Sequence, residues 1–231
     1  MIDRIKFYAG YRRYFGGLNQ SQVDGIDFLL DKLDASPILN DARWYAYILA
    51  TIKHECAEKW QPINELGSAH YLQSKSYYPY TGKGYVQLTW ESNYLAINPI
   101  VKEFFPDKDI MKNPDDALNP EVAWIICEAG MTKADIGPLK EPNFCAGQTL
   151  ERYFNDNTTD WVHARRIING MDCANLIAGY AQKLYDIIEF TDSIKQESIN
   201  EIHPDEQLAN TELINDSLAK KAIRIYDENI T

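Results

Sequence analysis

Apolar residues recur with a helical period over most of the first sixty positions, and that period sets the reading of the chain. Residues 3 to 14 read as a short helix stopped by Gly16-Gly17. Asn19 or Ser21 can cap a second helix carrying Val23, Ile26, Phe28, Leu29, Leu30 and Leu33, and Pro37 closes that region. Asn40-Asp41 supplies caps for a third helix over 42 to about 58, with Trp44, Ile48, Leu49, Ile52 and Cys56 at helical spacing. Glu55 falls on the same face as Ile48 and Ile52. A carboxyl group among apolar side chains favours its protonated form, so the pattern singles out Glu55 as a candidate general acid.

From 62 to 80 the period gives way to loop and aromatic residues. Thr81-Gly82-Lys83-Gly84 reads as the turn of a hairpin between two runs rich in Tyr and Val. Strand alternation over 85–89 puts Val86 and Leu88 on one face and Tyr85, Gln87 and Thr89 on the other, a polar surface suited to a cleft wall. Beyond Trp90 helices return. Asn119 caps a helix with Pro120 at its first position, an apolar run over 122–127 and a stop near Gly130. A short helix is expected over 148–154, a further one over 161–168 capped by Thr158-Thr159-Asp160, and a long one from Asp172 to about 190. Helix outweighs strand, so the expected fold class is mainly α (α+β), with a small hairpin lining a cleft.

After Phe190 the composition changes. Residues 191–231 hold nine acidic and four basic side chains, and Ile214, Leu218, Ile223 and Ile225 allow a modest amphipathic helix. The expected organisation is therefore a domain over 1–190 and an acidic appendage over 191–231, able to dock on the domain or contact a partner protein. For the whole chain, 23 Lys and Arg against 34 Asp and Glu give a net charge of -11 and a pI near 4.8, which argues against broad binding to nucleic acid or anionic lipid. No stretch approaches the apolar length of a membrane span and no basic-then-apolar leader opens the chain, so synthesis in the cytoplasm without a signal peptide is expected. Cys56, Cys127, Cys145 and Cys173 form no C-x-x-C pair and read as reduced thiols.

The chemistry this pattern offers is carboxylate chemistry. Glycosidic cleavage without a metal needs a proton donor and a second carboxylate that attacks or activates water. Glu55 and Glu65 can supply both if Glu65, on its loop, faces the helix end across a cleft; Glu58 or Glu91 can stand in for either. His54 has no second ligand at metal-binding spacing and reads as structural, and no metal or cofactor is expected. Cys56 lacks the activating His and Asn of a thiol nucleophile. Tyr77, Tyr78, Tyr80 and Tyr85 suit sugar stacking and hairpin packing equally, while Trp44, Trp124 and Trp161 read as core.

Four segments taken together narrow the choice: His54-Glu55-Cys56, Gln61 through Gly67, Tyr80 through Trp90 with Asn93-Tyr94, and Asp160 through Gly170. In order and spacing this series resembles the family 19 glycoside hydrolases, above all their phage endolysin-like branch, over roughly residues 4 to 190. The resemblance implies a mainly helical lysozyme-superfamily fold acting on β-1,4-linked N-acetylhexosamine polymers. By motif position Glu55 matches the general acid, Glu65 the second acidic residue and expected base, and Thr89 the hydroxyl that helps hold the attacking water. Gln87 and Asn93 match sugar-contacting positions; Tyr85 and Lys83 belong to the same hairpin and are expected to line the substrate. Asn169 matches a segment that reaches the substrate or braces the cleft, and Arg165 or Arg166 can pair with a catalytic carboxylate. The chain departs from the usual pattern at Cys56, where the family has Thr, and at Lys83, where it has Arg.

The function so implied is that of an inverting N-acetylmuramidase, a peptidoglycan hydrolase of endolysin or antibacterial type. It is expected to act as a monomer on cell-wall glycan strands after release or secretion. The alternatives are a chitinase, or a carbohydrate-binding homologue that has lost turnover.

Overall fold

A computed structural model describes residues 1–134, 136 and 147–191 of the chain. Helix α1 (Arg4–Phe15) starts where the Asp3 carboxylate accepts the Lys6 N–H and stops where Gly16 takes a φ of 89°. Helix α2 (Gln20–Ala35) opens on a reciprocal capping box between Asn19 and Gln22, which decides between the two expected caps. Helix α3 (Ala42–Glu55) is capped by Asp41 and is buried at every position from 45 to 53. A helix apolar on all sides belongs in the middle of a core, and α3 packs lengthwise on α8 (Ala174–Tyr185).

Helix α3 ends three residues short of the expected 58, one residue before Cys56, the last position of its apolar period. Ala57, Glu58 and Trp60 all take positive φ (48°, 61° and 59°), reversing the chain so that the Trp60 ring is buried edge-on against Tyr11. Such conformations cost L-residues energy, and tertiary packing holds them in place. Part of that packing is Gly25 on α2, where an added Cβ would lie 2.2 Å from the Trp60 carbonyl oxygen. Gly25→Ala should therefore destabilise the protein by about 1–3 kcal/mol in urea unfolding, even though alanine is the better helix former. An unchanged or raised midpoint would show that the turn yields easily.

Strand β1 (Ile63–Asn64) pairs antiparallel with β2 (Lys83–Gly84), Ile63 opposite Gly84 and Asn64 opposite Lys83. Between them lies a long loop with the five-residue helix α4 (Ala69–Gln73). The hairpin expected to turn at 81–84 is thus displaced: Lys83 and Gly84 are strand, and the tight turn is Gly84 to Gln87. It is closed by Lys83 and Leu88 exchanging backbone bonds of 3.1 and 2.9 Å.

Helix α5 (Glu91–Phe104) follows, then a 3-10 turn (Pro114–Leu118) and α6 (Pro120–Thr132), capped by Asn119 as expected and continuous through Gly130. Helix α7 covers only Leu150–Tyr153, because β3 (Phe154–Asn155) pairs at once with β4 (Thr158–Thr159). Thr158 and Thr159 therefore pair as a strand instead of capping. The segment after them forms a 3-10 turn (His163–Ile167), with Asp160 accepting the His163 N–H. Helix α8 starts after Cys173, at a φ of 55°, without a side-chain cap from Asp172. The fold class is mainly α with small β: eight α-helices and two two-stranded sheets among the described residues.

The chain divides into units 1–190 and 191–231. The expected appendage helix and Cys145 lie outside the described residues. Among the described residues no helix is long and apolar enough to cross a membrane.

Candidate active site

The early end of α3 leaves Glu55 on its last turn, facing an open cavity of about 320 Å³. The cavity also takes in Glu65 from the loop after β1, Gln87 and Thr89 from the tight turn, and Ile168 and Asn169 from beyond the 3-10 turn. Tyr77, Gly82 and Trp90 complete the wall. Four distant stretches of sequence thus meet at one cleft, with a carboxylate from each of two of them.

Each carboxylate is held by its own donors. Glu55 is expected on an apolar helix face, with Arg165 or Arg166 able to pair with a catalytic carboxylate, and Ile48 and Ile52 behind it are fully buried. At its head, however, stands Arg165, which donates from Nη1 to Glu55 Oε1 at 2.6 Å. The Arg165 side chain is 1 % exposed and that of Glu55 is 14 %. Arg165 also donates from Nε to the Asp172 carbonyl at 2.8 Å, so the guanidinium plane is fixed, and the carboxylate that it holds lines the cavity. Glu65 accepts the Tyr77 hydroxyl at 2.9 Å on Oε1 and the Gly82 N–H at 3.0 Å on Oε2. Its own N–H bonds the Gly82 carbonyl at 2.6 Å, which ties the loop to the second strand. Burial and the neighbouring carboxylate push the Tyr77 phenol up to about 12, so it stays a proton donor across the physiological range.

The turn that carries Gln87 and Thr89 is anchored to the end of α3. The Cys56 thiol donates to the carbonyls of Tyr85 (3.5 Å) and Gly84 (3.7 Å), and burial pushes that thiol well up, so it serves as an uncharged tie. Gln87 donates from Nε2 to the Ile63 and Gly84 carbonyls, and Thr89 from Oγ1 to the Gln87 carbonyl. Below the cleft, Lys53 pairs with Glu58 at 2.9 Å and sits among the rings of Phe15, Tyr180 and Tyr11, clamping the reversal that follows Glu55. Gln87 (φ 53°) and Trp90 (φ 74°) add two more positive-φ residues at the cavity itself. Five of the six such non-glycine residues among those described thus flank the carboxylates, the kind of clustering that marks functional sites.

Of the residues singled out in the sequence, Glu55, Glu65, Gln87, Thr89 and Asn169 line the cavity, and four others do not. Tyr85 is 1 % exposed and lies parallel to Phe28 in the core, because 85–88 is a turn in which the period of two fails. Lys83 is buried, donating to Asn64 and Thr81 and pairing with Asp115, and so braces the strands. Asn93 is fully buried on α5. Arg166 is exposed beside the Tyr153 hydroxyl, and Arg165 is the arginine that reaches a carboxylate. Trp90 and Ile168 were not anticipated as wall residues. A tryptophan at positive φ leaves no pattern in a sequence, whereas the tyrosine run around 77–80 does mark the place. No group of three or more metal-binding side chains assembles among the described residues. Comparison with protein-family models, curated proteins and solved structures returns no match for this chain.

Proposed function

We propose that this protein is a glycoside hydrolase that cleaves the β-1,4 bonds of peptidoglycan strands, an N-acetylmuramidase acting by single displacement with inversion. One observation carries the reading: two carboxylates from separate elements share one open cleft, each oriented by dedicated donors, with amide and hydroxyl groups on the wall between them. Glu55, paired with Arg165 at rest, takes up a proton from solvent before cleavage and delivers it to the leaving oxygen, and Arg165 stabilises the carboxylate that results. Glu65, steadied by Tyr77 and Gly82, takes a proton from water as that water attacks the anomeric carbon from the opposite face. Thr89 and Gln87 orient the water and the sugar, and Asn169 closes the far wall. Afterwards Glu65 holds the proton and Glu55 lacks one; exchange with solvent resets the pair. The order of the motifs that resemble family 19 glycoside hydrolases supports the choice of substrate polymer and the inversion.

The test is product analysis. Purified sacculi digested in heavy-oxygen water should yield soluble fragments with N-acetylmuramic acid at the reducing end, each carrying one labelled oxygen and none ending in an anhydro sugar. Turnover confined to chitin oligomers would move the assignment to a chitinase, and retention on sacculi without soluble products would make the protein a binder.

A further inference from the structure

Asn169 is the only asparagine of the chain that is followed directly by a glycine. It stands on the wall of the cavity that holds Glu55 and Glu65, and it is partly exposed. Its own main chain is fastened: the Asn169 N–H donates to the Arg165 carbonyl at 3.0 Å, and its main-chain carbonyl accepts the Asp172 N–H at 3.3 Å. Among the described residues, however, neither the Asn169 side-chain amide nor the Gly170 N–H takes part in a hydrogen bond. Asn19, Asn98, Asn119 and Asn155 differ, since each has its side chain tied by a hydrogen bond. Gly170 takes a φ of 49°, and a Cβ built there would meet nothing within 4 Å, so the peptide nitrogen beside Asn169 is uncrowded.

We propose that Asn169-Gly170 is a site of spontaneous deamidation at which the cleft acquires a third carboxylate, so that the protein loses turnover as it ages in water. The Gly170 nitrogen, once its proton is lost to solvent base, attacks Asn169 Cγ. The N–Cγ bond forms, the Cγ–Nδ2 bond breaks, and Nδ2 leaves as ammonia with a proton from water. Water then opens the cyclic imide at either carbonyl, leaving aspartate or, with the main chain rerouted through the former side chain, isoaspartate. One amide and one water are consumed and one carboxylate and one ammonium are formed, with no oxidant or reductant. The modification itself is independent of the proposed reaction; its effect on turnover rests on the glycoside hydrolase reading. A third negative charge in a cavity of about 320 Å³ opposes ionisation of Glu65, the proposed base, and the amide that faces the substrate is gone. The isoaspartate form also lengthens the main chain between Arg165 and Asp172, whose carbonyl fixes the guanidinium that holds Glu55.

The experiment keeps the full chain folded in warm, mildly alkaline buffer, with samples digested at intervals and their peptides measured by mass spectrometry. The peptide that spans 169 and 170 should gain the mass of an amide-to-acid change, and become a substrate for an isoaspartate methyltransferase, ahead of every other asparagine-containing peptide. Asn169→Gln, whose longer side chain has to close a larger ring, and Gly170→Ala, whose methyl group crowds the nitrogen, should each hold that peptide at its starting mass. Release of reducing ends from sacculi should fall in step with the converted fraction, and freshly prepared Asn169→Asp should be slower than the wild type by about tenfold. Gly170→Ala aged alongside should keep its own starting rate. A peptide that keeps its mass, or converts no faster than the others, would overturn the site, and full activity in Asn169→Asp would overturn its consequence. If the unaged wild type releases no reducing ends, the hydrolase reading fails while the mass measurement still decides the site. Retention on sacculi then decides the consequence: weaker retention of Asn169→Asp than of the wild type keeps it, and equal retention removes it.

Discussion

Glu55→Gln should slow the release of reducing ends from purified sacculi by roughly 10²–10⁴-fold, the usual contribution of a positioned proton donor. The substitution is close to isosteric, and the amide oxygen can still accept from Arg165 Nη1, so the loss isolates the proton itself. Undiminished lysis by this variant would end the assignment of Glu55 as the acid. The variant should not be more stable than the wild type, in contrast to many replacements of active-site residues. It leaves the Arg165 guanidinium, 1 % exposed, facing a neutral partner, at a cost of about 1–3 kcal/mol in urea unfolding. Circular dichroism should show the helical content unchanged.

Arg165→Met carries the largest expected effect on stability. Removing one member of a buried ion pair leaves the other charge uncompensated, which costs about 3–5 kcal/mol. The Asp172 carbonyl loses its donor as well. For a domain of this size that loss corresponds to a fall in Tm of roughly 10 °C. Pairing it with Glu55→Gln should recover part of the loss, since the double variant buries no lone charge, and the coupling in that cycle measures the interaction directly. A loss below about 1 kcal/mol would mean that water reaches the pair more freely than its burial implies.

The helical half of this protein was readable because capping and periodicity are local. Asn19 with Gln22, Asp41 before α3 and Asn119 with Pro120 each announce a helix start within four residues, and each does so in the structure. Glu55 was readable for the same reason. Glu65 had no such support; its place comes from bonds to Tyr77 and Gly82, twelve and seventeen residues away, which no local rule reaches. The tight turn was misplaced because Gly82-Lys83-Gly84 looks like turn chemistry, whereas the actual turn needs Gln87 at positive φ, a conformation usually left to glycine or asparagine. That error carried Tyr85 with it, since alternation was applied where no strand exists. Arg165 and Arg166 are adjacent and chemically identical, and only the phase of a 3-10 turn, hard to infer from sequence, sends the first inward and the second to the surface.

The pair formed by Glu55 and Arg165 joins residues 110 positions apart. A chain emerging from the ribosome displays α3 well before α8 and the arginine that completes the cleft, so Glu55 waits without its counter-charge through most of synthesis. The cleft therefore forms late, when nearly all of residues 1–190 are available to fold. A nascent fragment has no assembled carboxylate pair, and a truncation between Glu65 and Arg165 gives a polypeptide that holds the proposed acid and base in its sequence but lacks the arginine that pairs with the first of them.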